Sequence, residues 1–219
     1  MAARRIGVMG GMFDPVHLGH LEAANLAIET LSLDELRMVP CHVPNHRDSA
    51  HASAEDRLAM LRLATADYHR VVIDDRECRR DGVSYTVDTL ASIAQENPDA
   101  ILVLVLGIDA FAKLPTWHRW QALFMMAHIL VLNRPGADFV VDPDLEIDLE
   151  CREVADAERL FWGAQGKILR LKQPQIDISS TAVREQLRGN VNTGTIISRV
   201  VKDYIQAHSL YQNTCHPTG

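Results

Sequence analysis

The chain has 219 residues, 47% of them hydrophobic, enough to bury one substantial core and too few for several independent domains. Its formal net charge is −7 and Lys and Arg form no block, which argues against a nucleic-acid or anionic-membrane surface, since either needs a basic footprint. No run approaches the roughly 18 apolar residues of a membrane span, and Cys41, Cys78, Cys151 and Cys215 lack any C-x-x-C or zinc spacing. The cysteines read as reduced thiols of a cytoplasmic protein, and the apolar run after Arg4-Arg5 is too short for a signal peptide.

In chain order, residues 5–9 form an apolar strand that enters Gly10-Gly11. Two residues without Cβ allow a sharp turn and a close backbone approach to a phosphate. Asp14-Pro15 is a turn and helix-entry signal, with proline suited to the first helical position. The helix that follows carries Leu18, Leu21, Ala24, Ile28 and Leu31 at helical spacing. Residues 35–39 form a second strand. Ser53 caps a helix running to about Thr65, and residues 71–73 form a third strand. Ser84 is expected to cap a helix over 86–96, ended by Asn97-Pro98. Residues 100–106 are apolar at every position, as in a central strand buried on both faces. Further strands fall at 128–132, stopped by Arg134-Pro135-Gly136, and at 167–171.

The polar segment 40–52 reads as a loop, and the acidic segment 137–163 as a solvated excursion that fits neither period. There Leu145, Ile147 and Leu149 alternate, whereas Leu149, Val154 and Leu160 suit a helix. Alternating strands and helices predict a doubly wound, mostly parallel α/β sheet with a small C-terminal helical part at about 179–211. The expected organisation is one domain over 1–211 and a flexible tail at 212–219. A monomer and a dimer are both compatible with this pattern.

Ligands of such sheets bind beyond the carboxyl ends of the strands. His17 and His20 lie three apart at a helix start, where unpaired N–H groups and the positive dipole end favour an anion. Near the other end, Ile178-Ser179-Ser180-Thr181-Ala182-Val183-Arg184 places two hydroxyls at a helix start and a guanidinium one turn further in, a second anion site. No G-x-G-x-x-G follows the first strand and no Gly-Lys-Ser/Thr occurs, so neither the dinucleotide fingerprint nor a P-loop is present. Read alone, Gly10-Gly11 is a tight turn, Ser179 a plain helix cap, Asp109 a helix N-cap, Trp117 a packing residue, and Arg134-Pro135 a surface turn.

The string Gly10-Gly11-Met12-Phe13-Asp14-Pro15-Val16-His17-Leu18-Gly19-His20 resembles the (T/H)-x-G-H nucleotidyltransferase superfamily. Together with the Ile-Ser-Ser-Thr-x-Val-Arg segment it resembles bacterial nicotinate-nucleotide adenylyltransferase, and the likeness covers essentially the whole chain. Val43-Pro44-Asn45-His46-Arg47, Ser84-Tyr85-Thr86, Gly107-Ile108-Asp109, Pro115-Thr116-Trp117-His118 and Arg134-Pro135 match that family in order and spacing.

The resemblance implies a Rossmann-like nucleotidyltransferase fold. The implied reaction is transfer of adenylate from ATP to nicotinate mononucleotide, with Mg²⁺ carried on the ATP phosphates and no metal residues of the chain's own. His20 would donate to the α-phosphate, and His17 would hold the triphosphate with backbone contacts from Gly10, Gly11, Met12 and Phe13. Ser179, Ser180 and Arg184 would grip the leaving pyrophosphate. His46, Arg47, Thr86, Asp109, Trp117 and Arg134 would bind the mononucleotide, with Trp117 stacked on the pyridine ring and Thr86 at its carboxylate. Two departures stand out. Met12 replaces a frequent Thr or Ser, and Asn45 replaces a frequent second proline. Alternatives from the same residues are an adenylyltransferase for nicotinamide mononucleotide or phosphopantetheine, and a nucleotide sensor without catalysis.

Overall fold

A computed structural model describes residues 3–42, 50–80, 82–133, 143–172, 178–189 and 196–212. Its strands are β1 (Arg5–Gly11), β2 (Glu35–Pro40), β3 (Val71–Ile73), β4 (Ile101–Gly107), β5 (His128–Asn133), β6 (Glu153–Val154) and β7 (Ile168–Lys172). They form one sheet in the order β3-β2-β1-β4-β5-β7-β6, and every neighbouring pair is parallel. Successive strands run outward from β1 through β2 to β3, and then in the opposite direction from β4. The reversal falls between β1 and β4, which leaves a crevice at their carboxyl ends.

Helices cover both faces. Helix α1 (Leu18–Leu31) buries Leu21, Ala24, Ile28 and Leu31. It packs in one core with residues of α2 (Ala54–Ala64), α7 (Ser180–Arg188) and α8 (Arg199–Ala207). The opposite face is closed by α3 (Thr86–Glu96), α4 (Ile108–Phe111), two short 3₁₀ turns at Leu114–Thr116 and Trp120–Met125, and α5 (Pro143–Arg152). Residues 102–106 of β4 are buried, because their side chains alternate into these two cores. Ser53 caps α2 as expected, its Oγ accepting from Asp56 N at 3.0 Å.

Three expectations are corrected. The N-cap of α3 is Tyr85, not Ser84. The buried Ser84 hydroxyl instead faces the Cys41 thiol and the Glu77 carboxyl. The acidic excursion holds α5, β6 and α6 (Ala157–Leu160). Leu145 and Leu149, one helical turn apart in α5, are both buried. Finally, β1 runs through both glycines, which pair with Val39 and Pro40 of β2. No helix among the described residues is long and apolar enough to cross a membrane.

Candidate active site at the carboxyl ends of the strands

The turn expected at Gly10-Gly11 occurs two residues later, where Phe13 adopts φ 48°. A Cβ on Gly11 would lie 3.0 Å from the Phe13 ring, tighter than ordinary van der Waals contact, so the ring would have to give by a few tenths of an ångström. A Cβ on Gly10 would meet nothing within 4 Å, so this glycine leaves open space at the end of β1. Pro15 does not open the helix, which begins at Leu18 with His17 as N-cap. The intervening turn is held elsewhere, by the Asp14 carboxylate accepting from His51 N at 2.8 Å and Ala52 N at 3.2 Å.

The two imidazoles meet at the start of α1. The His17 backbone N–H donates to His20 Nδ1 at 3.3 Å, and the rings stack with centroids 3.7 Å apart at 24°. An Nδ1 that accepts leaves the proton of a neutral imidazole on Nε2, so His20 presents a donor there. Phe13 also packs against the His20 ring, in a T-shaped contact with centroids 5.0 Å apart. Gly19 permits the packing, since a Cβ would stand 3.1 Å from His17 Nδ1 and 3.7 Å from the Ile178 carbonyl.

That carbonyl belongs to the approach to α7, whose start the fold delivers to the same turn. Ser179 is the N-cap, its Oγ accepting from Ala182 N at 3.2 Å. Ser180 Oγ donates to Pro15 O at 3.1 Å, and Arg184 Nη1 donates to Asp14 O at 2.6 Å. Arg184 Nη2 reaches Thr181 Oγ1 at 3.1 Å. Leu18 N donates to Ile196 O at 2.8 Å, tying the start of α1 to the segment before α8. Beneath the turn, Arg57 of α2 is 1% exposed and donates to Met12 O at 2.8 Å. Its Nε has no hydrogen-bond partner among the described residues. His17, His20, Ser179, Ser180 and Arg184, distant in the chain, therefore gather around one turn, and Arg57 is a buried cation there that sequence reading missed.

Beside that turn lies a cavity of about 310 Å³ at the switch point between β1 and β4. Gly10, Gly11, Met12, Thr86, Asp109 and Trp117, all expected in the site, line it. Its wall does not include Phe13, His17, His20, Ser179, Ser180 or Arg184. The expected residues thus fall into two adjoining groups, one around the turn and one around the cavity. The N-cap of α4 is Gly107, so Asp109 is not a cap and stands in the cavity wall. His46, Arg47 and Arg134 lie outside the described residues.

Burial sorts the lining into floor and rim. Val8, Val39, Leu104, Glu77 and Thr89 are buried, whereas Lys113, Thr116 and His118 are exposed. Thr89 Oγ1 donates to Glu77 Oε1 at 2.6 Å, and burial pushes the Glu77 carboxyl above its ordinary pKa. Burial likewise raises Cys41, with Glu77 next, to about 11, so that thiol is protonated at neutral pH. At the rim, the Tyr85 and His118 rings stand 4.4 Å apart at 37°. Glu77 and Lys113 were not named from sequence, and Tyr85 and His118, although inside the quoted motifs, were given no role. Glu77 sits in a charged stretch, Asp74 to Arg80, of the kind that is usually solvated, Lys113 lies between two motifs, and Tyr85 and His118 adjoin Thr86 and Trp117, to which the resemblance assigned the ring contacts.

A parallel sheet with a glycine-lined cavity at its switch point, and imidazoles at the adjoining helix start, defines a nucleotide-handling α/β protein. Residues 8–186 match the family model described as cytidylyltransferase-like. The "Probable nicotinate-nucleotide adenylyltransferase" of Pseudomonas entomophila (strain L48) is 45% identical over 213 residues, covering 97% of each chain. The Methylococcus capsulatus protein of the same name is 45% identical over 207 residues, covering 94% of this chain and 99% of its own. The chain belongs to the cytidylyltransferase-like family and, within it, to the nicotinate-nucleotide adenylyltransferases. Among solved structures, Plasmodium falciparum nicotinic acid mononucleotide adenylyltransferase complexed with NaAD aligns with TM-score 0.73, covering 95% of this chain and 97% of that one. The same protein complexed with APC aligns with TM-score 0.72. At 19% identity these likenesses establish the fold.

Proposed function

We propose that the protein joins nicotinate mononucleotide and ATP, releasing nicotinate adenine dinucleotide and pyrophosphate, a late step of NAD synthesis. The observation that carries this reading is the gathering of His17, His20 and the start of α7 around one turn beside the cavity. A phosphate oxygen of the mononucleotide attacks the ATP α-phosphorus in line, a new P–O bond forms, and the bond to pyrophosphate breaks. The nucleophile is already ionised, so the site needs no general base and acts by positioning and charge stabilisation.

His20 Nε2–H serves the charge that develops on the α-phosphate, and His17 lies against the triphosphate. Gly10, Gly11, Met12 and Phe13 offer backbone to the phosphates. Ser179, Ser180 and Arg184 face the leaving pyrophosphate, and the buried Arg57 adds positive charge beneath the turn, opposing the repulsion between two anionic substrates. The pyridine ring occupies the cavity against Trp117, with Thr86 beside its carboxylate and Asp109 on a ribose hydroxyl. Because the floor carries the Glu77 acid, the carboxylate of the ring is directed toward Lys113 and His118 at the rim. His46, Arg47 and Arg134 complete the mononucleotide site in this reading.

Mg²⁺ enters as part of the substrate MgATP. The described residues contain no group of three or more His, Cys, Asp or Glu suited to a metal ion, and no protein ligand is assigned to it. Cytoplasmic residence fits the unpaired thiols of Cys41, Cys78 and Cys151. The test measures pyrophosphate release from MgATP with nicotinate mononucleotide, its amide and phosphopantetheine side by side. Turnover is expected with the first at far higher kcat/KM. Preference for either other acceptor would reassign the substrate, and ATP binding without turnover on any of the three would leave a sensor.

A further inference from the structure

The Asp14 carboxylate, 3% exposed, gathers remote parts of the chain onto the imidazole-bearing turn. Its Oδ1 accepts from Tyr211 Oη at 2.7 Å and from Ala52 N at 3.2 Å. Its Oδ2 accepts from His51 N at 2.8 Å, with His51 Nδ1 at 3.5 Å and Arg184 Nη1 at 4.0 Å. Asp14 stands three residues before His17, so whatever fixes it fixes the entry to α1.

Tyr211 reaches this carboxylate by an unfavourable path. Beyond α8 the chain passes through Ser209 at φ 52° and Tyr211 at φ 62°, left-handed conformations that residues with a side chain rarely adopt. Such strain persists only where the surroundings over-determine it. Here the surroundings are the core around α1, α2 and α8, which encloses the Tyr211 ring, and the Asp14 bond at its tip. Burial, followed by the Asp14 charge, holds the phenol pKa far above its ordinary value, so the hydroxyl remains a donor across the physiological range.

We propose that Tyr211 is a positioning residue: through its bond to Asp14 it sets the turn from which His17 and His20 address the phosphates. Catalytic efficiency thus depends on a hydroxyl carried 197 positions along the chain from its acceptor. This inference rests on the adenylyl-transfer reading, whereas a merely structural role would have the hydroxyl stabilise the fold and leave turnover alone.

Tyr211→Phe keeps the ring in the core and removes only the donor. Turnover at a temperature well below its Tm is expected to fall by about tenfold to a hundredfold, the scale of a small misplacement of reacting groups. KM for nicotinate mononucleotide is expected to change by less than about twofold, since the cavity wall does not include Tyr211. Asp14→Asn should lose turnover similarly, and the double variant should lose no more than the worse single one, as for two members of one unit. Wild-type turnover in Tyr211→Phe, or losses that multiply in the double variant, would overturn the inference. A second readout needs no turnover: the imidazole NMR signals of His17 and His20 should move in Tyr211→Phe, and unmoved signals would also overturn it. Failure of the adenylyl-transfer reading is distinct, because the wild-type protein itself would then release no pyrophosphate.

Discussion

His20 illustrates how one ring is committed on both sides. Its Nδ1 accepts from the His17 backbone N–H, which puts the proton of the neutral ring on Nε2, while Phe13 and the His17 ring pack against it. Removing it in His20→Ala is expected to lower kcat by about 10² to 10³, the scale for one lost donor to a developing oxyanion. Steady-state rates at saturating MgATP and nicotinate mononucleotide measure this, and near-normal turnover would refute the role. The sequence pointed to His17, His20 and Arg184 because each sits in a short contiguous string whose residue types suggest phosphate, and the structure brings them to one turn. Arg57 and Tyr211 were not. Arg57 lies in an unremarkable amphipathic helix, and what marks it is burial against a carbonyl 45 positions away. Glu77 shows the same effect in reverse, a charge that reads as solvated and is enclosed by Thr89 and the cavity floor.

At the level of elements, apolar runs bounded by turn residues located most strands to within a residue or two, and α3 spans the expected residues 86–96. Errors came where two local signals competed. Gly10-Gly11 favours a turn, yet pairing with β2 extends β1 through both, and the bend passes to Phe13. Alternation in 145–149 masked α5. Strand β5 carries a testable consequence of burial. Its first residue, His128, is 2% exposed, and its Nδ1 accepts from Lys167 N at 3.3 Å just before β7. Burial, followed by the nearby Lys167 charge, pulls its pKa from 6.5 down to about 4. With the folded value below the unfolded one, the unfolded chain binds the proton more readily between those limits. Stability is therefore complete above pH 6.5 and declines as pH falls toward about 4. The urea midpoint of His128→Asn, whose amide oxygen can replace Nδ1 as acceptor, is expected to fall less steeply across that window. Parallel curves for the two proteins would dismiss His128 as the source.

For the whole molecule, the order of the strands and the long-range ties were beyond sequence periodicity, which reports local burial and not neighbours. One such tie is ionic: Arg37 of β2 reaches Asp74 after β3 at 3.4 Å, and Arg76 bonds both Asp74 and Glu96 of α3 at 2.8 Å. Another is the active turn itself, fastened to residues 51–52, 57, 180, 184, 196 and 211. Because the site needs segments from both ends of the chain, activity and helical structure are expected to disappear together in urea. Circular dichroism and pyrophosphate release followed on the same samples check this, and activity lost well before helicity would show the C-terminal segment detaching separately. The sheet also ends in β3 and β6, of three and two residues. Margins this short present little unpaired backbone to a foreign strand, so the fold offers a poor template for cross-chain ladder growth. Short outermost strands of this kind are one of the ways by which sheets avoid edge-to-edge association.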